Sequence, residues 1–252
     1  SPLLRGWFRS PEVVGRLQAH EIREQETLLD LTRKHDLGYV ELLAANPGVD
    51  PWVPGVGTRV LLPTAHLIPS GERRGIVVNL AEQRLYLFDE DSNRVLFSFP
   101  IGVSRQGWTT PLGKTKVVRK RAAPIWYPTD SARREDPTLP KAVGAGPENP
   151  LGTHALYLDW PLYLIHGTNE PDGVGRRVSR GCIRLYPEDI IRLFEHTPKG
   201  APVRVVHEPV KLARIGSDVF LEVHPTRDEM HQIEEKGRLE EIKPKDLRPA
   251  NR

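Results

Sequence analysis

Apolar positions along the chain follow two rhythms. In residues 19–66 they cluster at helical spacing. Leu28, Leu29 and Leu31 follow Thr27, a residue suited to cap a helix, and Tyr39 to Ala45 forms a second short run closed by Asn46-Pro47-Gly48. Strand-like runs at 20–23 and 58–62 flank this pair and predict a small α+β unit of strand, helix, helix and strand. From residue 76 the rhythm changes to short apolar runs separated by turns. Residues 76–80 and 84–88 flank a tight turn, and Asp89-Glu90-Asp91-Ser92-Asn93 precedes a run at 95–103. Further strands are expected at 116–120, 155–158, 162–165 and 203–207. Such a meander predicts a mainly β domain built on an antiparallel sheet. One helix is expected within it, opened by Pro187-Glu188-Asp189, with Ile190, Ile191, Leu193 and Phe194 as its apolar stripe. After Val206 the chain turns polar, and a single strand at 219–224 followed by a mobile charged tail is expected. The divisions are therefore a leading segment at 1–18, the small unit at 19–66, the β domain at 73–207 and a strand with polar tail at 208–252.

Composition agrees with this picture. Twenty-four prolines and twenty-one glycines among 252 residues suit a turn-rich β architecture. No apolar run approaches the ~20 residues of a membrane-spanning helix, and Ser1 to Trp7 does not read as a signal peptide. With 36 basic against 33 acidic residues the net charge is only +3, which gives nucleic-acid binding no global support. The local distribution is more informative. Arg176, Arg177, Arg180 and Arg184 gather around the one cysteine, Cys182. That cluster suits a carboxylate-rich substrate, the alternative being a solvated loop face. Residues 124–150 carry six prolines and little periodicity, which predicts a long functional loop with Trp126 and Tyr127 as apolar walls.

Cys182 is the chemical centre of the sequence. A thiol becomes a nucleophile when a nearby base or positive charge raises its thiolate fraction, because a pKa of about 8.5 leaves it mostly protonated near neutrality. His166 is the candidate base. It closes the run Leu162-Tyr163-Leu164-Ile165, Cys182 leads into Ile183-Arg184-Leu185, and the intervening Glu170-Pro171-Asp172-Gly173 lets the chain fold back. Gly181 leaves room for a substrate carbonyl, and backbone N–H groups around Gly181 and Cys182 can form an oxyanion hole. Two other readings stay open on these residues alone: an inert buried thiol, or a metal site drawing on His154, His166, Cys182 and His196, although no closely spaced ligand pair is present.

The segments His166-Gly167-Thr168-Asn169, Gly173-Val174-Gly175, Arg177-Val178-Ser179 and Gly181-Cys182-Ile183-Arg184-Leu185 together resemble the active-site motif of the L,D-transpeptidases, bacterial cell-wall enzymes, and in particular their Gram-negative periplasmic branch. The likeness extends to Trp108-Thr109-Thr110-Pro111-Leu112-Gly113 and to Asn149-Pro150-Leu151-Gly152-Thr153-His154, and covers roughly residues 73–207. Many members carry a histidine where this chain has Arg180, which concentrates the base role on His166. The resemblance implies an antiparallel, β-sandwich-like catalytic domain with Cys182 as nucleophile, His166 as base, the Gly167 carbonyl orienting the imidazole, and Gly181 beside the reacting carbonyl. Arg184, inside the motif, is expected either to bind a substrate carboxylate or to brace the active-site loop, His154 and Tyr163 either to line the cleft or simply to pack, and Ser179, Arg180 and Trp126 to contact substrate, with no metal or organic cofactor.

Residues 19–66 similarly resemble a LysM peptidoglycan-binding module, from Glu26-Thr27-Leu28 through Asn46-Pro47 to Gly57-Thr58-Arg59-Val60-Leu61-Leu62-Pro63, with Gln25-Glu26 in place of the common Gly-Asp opening. The implied partners are peptidoglycan stem peptides and glycan, with a stem amine or an outer-membrane lipoprotein lysine as acceptor, and the implied location is the periplasm. Two rivals accompany this reading: an L,D-carboxypeptidase that uses water at the same site, and a non-catalytic wall-binding protein.

Overall fold

The computed structural model describes residues 10–104, 110–179 and 181–239. Its first unit comprises β1 (Val13–Gly15), β2 (Gln18–Glu21), α1 (Leu28–Lys34), α2 (Tyr39–Ala45), β3 (Arg59–Leu62) and β4 (Ala65–Leu67). Thr27 caps α1 reciprocally with Asp30, each side chain accepting from the other's backbone N–H. β2 and β3 pair antiparallel, so the order is strand, helix, helix, strand, and β1 with β4 adds a separate ribbon. Leu28, Leu31, Leu37, Leu42, Val60 and Leu62 fill the space between the helices and β3.

The second unit holds β5 (Ile76–Asn79), β6 (Arg84–Phe88), β7 (Val95–Pro100), β8 (Val103–Ser104), β9 (Gly113–Ala122), α3 (Asp130–Glu135), β10 (His154–Leu158), β11 (Leu164–His166), β12 (Arg177–Ser179), β13 (Ile183–Arg184), α4 (Pro187–His196) and β14 (Pro202–Val206). Eight of these strands form one sheet in the order β13-β11-β10-β9-β14-β5-β6-β7. The sheet is mixed rather than antiparallel throughout. β14 runs parallel to β5, and β13 runs parallel to β11. The antiparallel expectation came from the local meander, whereas these two pairings join strands distant in sequence. α4 packs on one face, burying Ile190 and Leu193 against Leu156, Ile165, Ile183 and Val203. The long loop is also more ordered than its composition suggested. α3 lies within it, Trp126 and Val143 exchange backbone hydrogen bonds, and the buried Asn149 side chain donates to the carbonyls of Pro124 and Gly144.

The C-terminal expectation needs correction. In place of one strand there is a hairpin, β15 (Val210–Ile215) with β16 (Asp218–Val223), followed by α5 (Arg227–Lys236). Residues 240–252, expected as a tail, lie outside the described residues, as do residues 1–9 of the leading segment. α5 inserts Met230 and Ile233 into the core of the first unit. The hairpin is fixed by a buried cation. Lys211 Nζ meets Glu82 at 2.6 Å, Glu222 at 3.0 Å, the Leu67 carbonyl at 2.6 Å and the Tyr86 hydroxyl at 3.1 Å. Ligand atoms of His66, Glu82 and Glu222 converge within 4.8 Å at this point, and the lysine ammonium supplies the positive charge there.

Candidate active site

The register of two short strands places the chemistry. In the parallel pair β11–β13, Ile165 lies beside Ile183 and His166 beside Arg184. Ile165 and Ile183 are buried toward α4, so by the two-residue period of a strand Leu164, His166, Cys182 and Arg184 share the opposite face. One position back on both strands, Cys182 falls beside Leu164. His166 and Cys182 are thus diagonal neighbours on one face, a relation that spans about 7–8 Å between backbones and lies within reach of long side chains.

The imidazole is oriented by its own neighbour's backbone. His166 Nδ1 lies 2.6 Å from the carbonyl oxygen of Gly167. A carbonyl only accepts, so Nδ1 carries the proton and Nε2 is the free base. Burial, followed by the adjacent Arg184 charge, pushes the imidazole down to about 3 despite this bond. Burial likewise pushes the half-buried Cys182 thiol up, while a backbone hydrogen bond from Leu164 and the Arg184 charge pull it down. Both shifts favour the uncharged forms, a thiol beside a neutral imidazole. The thiol donates to the Leu162 carbonyl at 3.5 Å.

Gly181 makes the turn before the thiol. Its φ of +119° is open to glycine, and a Cβ there would stand 2.9 Å from Tyr163 Cε1. The Tyr163 ring thus packs on the Gly181 backbone and edge-on to Trp160, and Thr110 Oγ1 donates to the Gly181 carbonyl at 2.8 Å. Burial lowers the Arg184 pKa, and the charge of Glu170 offsets this only in part.

Cys182 opens on a cleft of about 400 Å³, walled by Trp126 and Tyr127 from the long loop and by Arg119, Arg121 and Tyr157 from the sheet. Trp126 stands where the sequence suggested. His154 does not. It shares its face with Leu156, which points toward α4, and its ring lies 4.6 Å from Phe194. His196 is also on that side, 4.9 Å from the Phe97 ring, so the four suggested metal ligands do not converge. Two of the clustered arginines are committed elsewhere. Arg176 stacks on the Tyr39 ring at 3.7 Å, and Arg177 binds Glu234 of α5 through both its backbone and its guanidinium. Arg180 lies outside the described residues, and Ser179 is described only as part of the β12 backbone. Arg119, Arg121 and Tyr157 were missed by sequence reasoning, and no local pattern marks them, because regular alternation from the buried Val117 would turn both arginines away from the cleft.

Residues 73–205 match the family model described as the L,D-transpeptidase catalytic domain. The chain is 46% identical over 194 residues to the probable L,D-transpeptidase ErfK/SrfK of Escherichia coli (strain K12), covering 74% of this chain and 62% of that one. It is 41% identical over 220 residues to the probable L,D-transpeptidase YbiS of the same strain, covering 84% of this chain and 71% of that one. The ErfK/SrfK protein of Salmonella typhimurium is 42% identical over 205 residues, and the chain spans 66% of its length. The chain thus spans less than two thirds of both ErfK/SrfK relatives.

Proposed function

This chain belongs to the L,D-transpeptidase catalytic-domain family, and on that premise we propose that it is a peptidoglycan L,D-transpeptidase with Cys182 as nucleophile and His166 as base. The observation that carries the reading is the diagonal placement of His166 and Cys182 on one sheet face, with Nδ1 held by Gly167 so that Nε2 is left as the base. In the first step Cys182 Sγ attacks the carbonyl at the L-centre of the diamino acid in a tetrapeptide stem as its proton passes to His166. The tetrahedral oxyanion is met by backbone N–H groups around Gly181 and Cys182. The C–N bond then breaks, and D-alanine leaves with the proton from the imidazolium. In the second step an amine attacks the thioester, yields its proton to His166, and the thiol re-forms. A neutral resting pair suits this order, because each step needs the imidazole first as acceptor and then as donor.

Trp126 and Tyr127 over the cleft support a dry acyl-enzyme that waits for its amine. The acceptor in this reading is the side-chain amine of a second stem or a lipoprotein lysine, and the location is the periplasm. Among the described residues no helix is long and apolar enough to cross a membrane. The strand-helix-helix-strand order of residues 19–66 supports a LysM-like module that brings glycan to the site.

The test is mass analysis of products from purified disaccharide-tetrapeptide, with the intact chain and with Cys182→Ala. Cross-linked dimer formed only by the intact thiol is the expected result. Tripeptide alone would move the reading to a hydrolase, and product from the Cys182→Ala variant would overturn it.

A further inference from the structure

Strand β9 contains an irregularity beside the cleft. Tyr157 pairs with Arg119, but the next residue, Leu158, pairs with Val117, so β9 carries one extra residue, Val118. A bulge of this kind reverses the facing of everything beyond it. Val117 is buried in the core under α4, and in a regular strand Arg119 and Arg121 would follow it there. The bulge instead sends Lys120 to that side, where its Nζ meets the Phe194 carbonyl, and turns Arg119 and Arg121 into the cleft. Two cross-strand rows result on the cleft face. Arg119, Tyr157 and Leu164 lead to Cys182, and Arg121, Ala155 and His166 lead to Arg184.

We infer that Arg119 and Arg121 are specificity residues that bind a carboxylate of the donor stem several bonds away from the scissile carbonyl; the inference rests on the transpeptidase reading above. Among the described residues neither guanidinium has an acidic or hydrogen-bonding partner. The Arg119 guanidinium carbon lies 3.8 Å from the centre of the Tyr157 ring. The ring contact seats the guanidinium over Tyr157, and its N–H groups can still meet a planar carboxylate. Tyr157 and Cys182 are two strand spacings apart, roughly 10 Å at about 4.8 Å each. The carboxylate of the departing D-alanine is only about 4 Å from the attacked carbon, one residue's span. That leaves roughly 6 Å to the strand of Tyr157, so a carboxylate farther from the attacked carbon suits Arg119 better. The free carboxylates at the side-chain end of the diamino acid and on the isoglutamate are far enough out to reach.

The experiment measures turnover by Arg119→Gln and Arg121→Gln on three tetrapeptide stems: unmodified, amidated at the side-chain end of the diamino acid, and amidated at the isoglutamate. Each variant is expected to raise KM for the unmodified stem about 10- to 100-fold, as loss of a charge-assisted hydrogen bond does, with little change in kcat. Wild-type protein should lose a similar factor on one amidated stem, and on that stem the variants should match wild type. Which stem shows this identifies the carboxylate. Unchanged KM, or an equal loss on all three stems, overturns the inference while leaving the transpeptidase reading intact. Absence of Cys182-dependent product from every stem with wild-type protein overturns both. Thermal melting and the alkylation rate of Cys182 check that the variants keep the fold and the thiol environment.

Discussion

Replacing Lys211 with methionine removes the ammonium from between the buried Glu82 and the partly buried Glu222. Lys211 is fully buried, 2.6 Å from Glu82 and 3.0 Å from Glu222, and it joins β15 to the edge of β4 and to the main sheet. Removing one partner of a buried ion pair costs about 3–5 kcal/mol, because the remaining charge has lost its compensation. For a chain of this size each kcal/mol is about 2–4 °C in Tm, so the variant should melt roughly 6–20 °C lower. The pH dependence carries the more specific signature. Burial alone would raise the Glu222 pKa, but hydrogen bonds from His224 and His66 and the charge of Lys211 outweigh it and hold the carboxyl well below its usual range. A depressed carboxyl contributes stability that is present above about pH 4.5 and lost as the pH falls through its folded value. In Lys211→Met the ammonium no longer holds the Glu222 carboxyl down, so its folded value rises and the folded state takes up a proton that the unfolded state releases. Acidification from pH 7.5 to 5 should therefore narrow the gap between variant and wild type. Urea denaturation at the two pH values measures both quantities. A loss below about 1 kcal/mol, or a gap that does not change with pH, would refute the assignment of Lys211 as the charge that holds the hairpin.

Other sites give sharper or simpler readouts. Because burial pushes the Cys182 thiol above the ordinary value of about 8.5, its rate of alkylation by iodoacetamide should still be climbing past pH 9; a plateau between pH 5 and 8 would reveal a thiolate–imidazolium pair instead. Gly181→Ala should fold yet lose about 100-fold in kcat/KM, since its Cβ meets Tyr163 and its φ is unfavourable, and full activity would show that the turn does not set the thiol's position. Asp189, buried at the start of α4, is raised to about 8 by burial and then by the charges of Asp36 and Glu188. The folded state holds its proton up to that value, so stability falls as pH rises from about 4 to 8, and Asp189→Asn should gain stability over wild type progressively across that window. Thermal melts at pH 5 and 8 decide this, and an advantage that shrinks toward pH 8 would contradict it.

The elements that could be read from sequence are those whose signals are local. Thr27 capping α1, the apolar runs of β5 and β6, and Pro187 opening α4 each declare themselves within a few residues. What escaped depends on partners far along the chain. The parallel pairing of β14 with β5 joins residues more than a hundred positions apart, and nothing in either run marks its direction. The facing of His154 is another such case. Either face of β10 is compatible with its sequence, and only the register against β9 and β11 turns Leu156 and His154 toward α4. Val118 carries no sign that it is the extra residue of a bulge, yet it decides which way Arg119 and Arg121 point. α5 was hidden by composition, since its helix is mostly charged and only Met230 and Ile233 are buried.

That last helix fixes an order of events during synthesis. The core of residues 22–62 is completed by Met230 and Ile233, and Glu234 beside them holds the backbone of the loop that leads to Cys182. A chain that emerges with its N-terminal side first, from a ribosome or across a membrane, exposes Leu28, Leu31 and Leu42 long before their last neighbours arrive. The first unit must wait, partly open, through the making of the whole sheet, and it closes at nearly the same moment as the loop bearing the thiol is tied down. Nascent chains halted before residue 230 should therefore hold the first unit loosely and the cysteine unprepared, so that the nucleophile matures only when almost the entire described chain has been made.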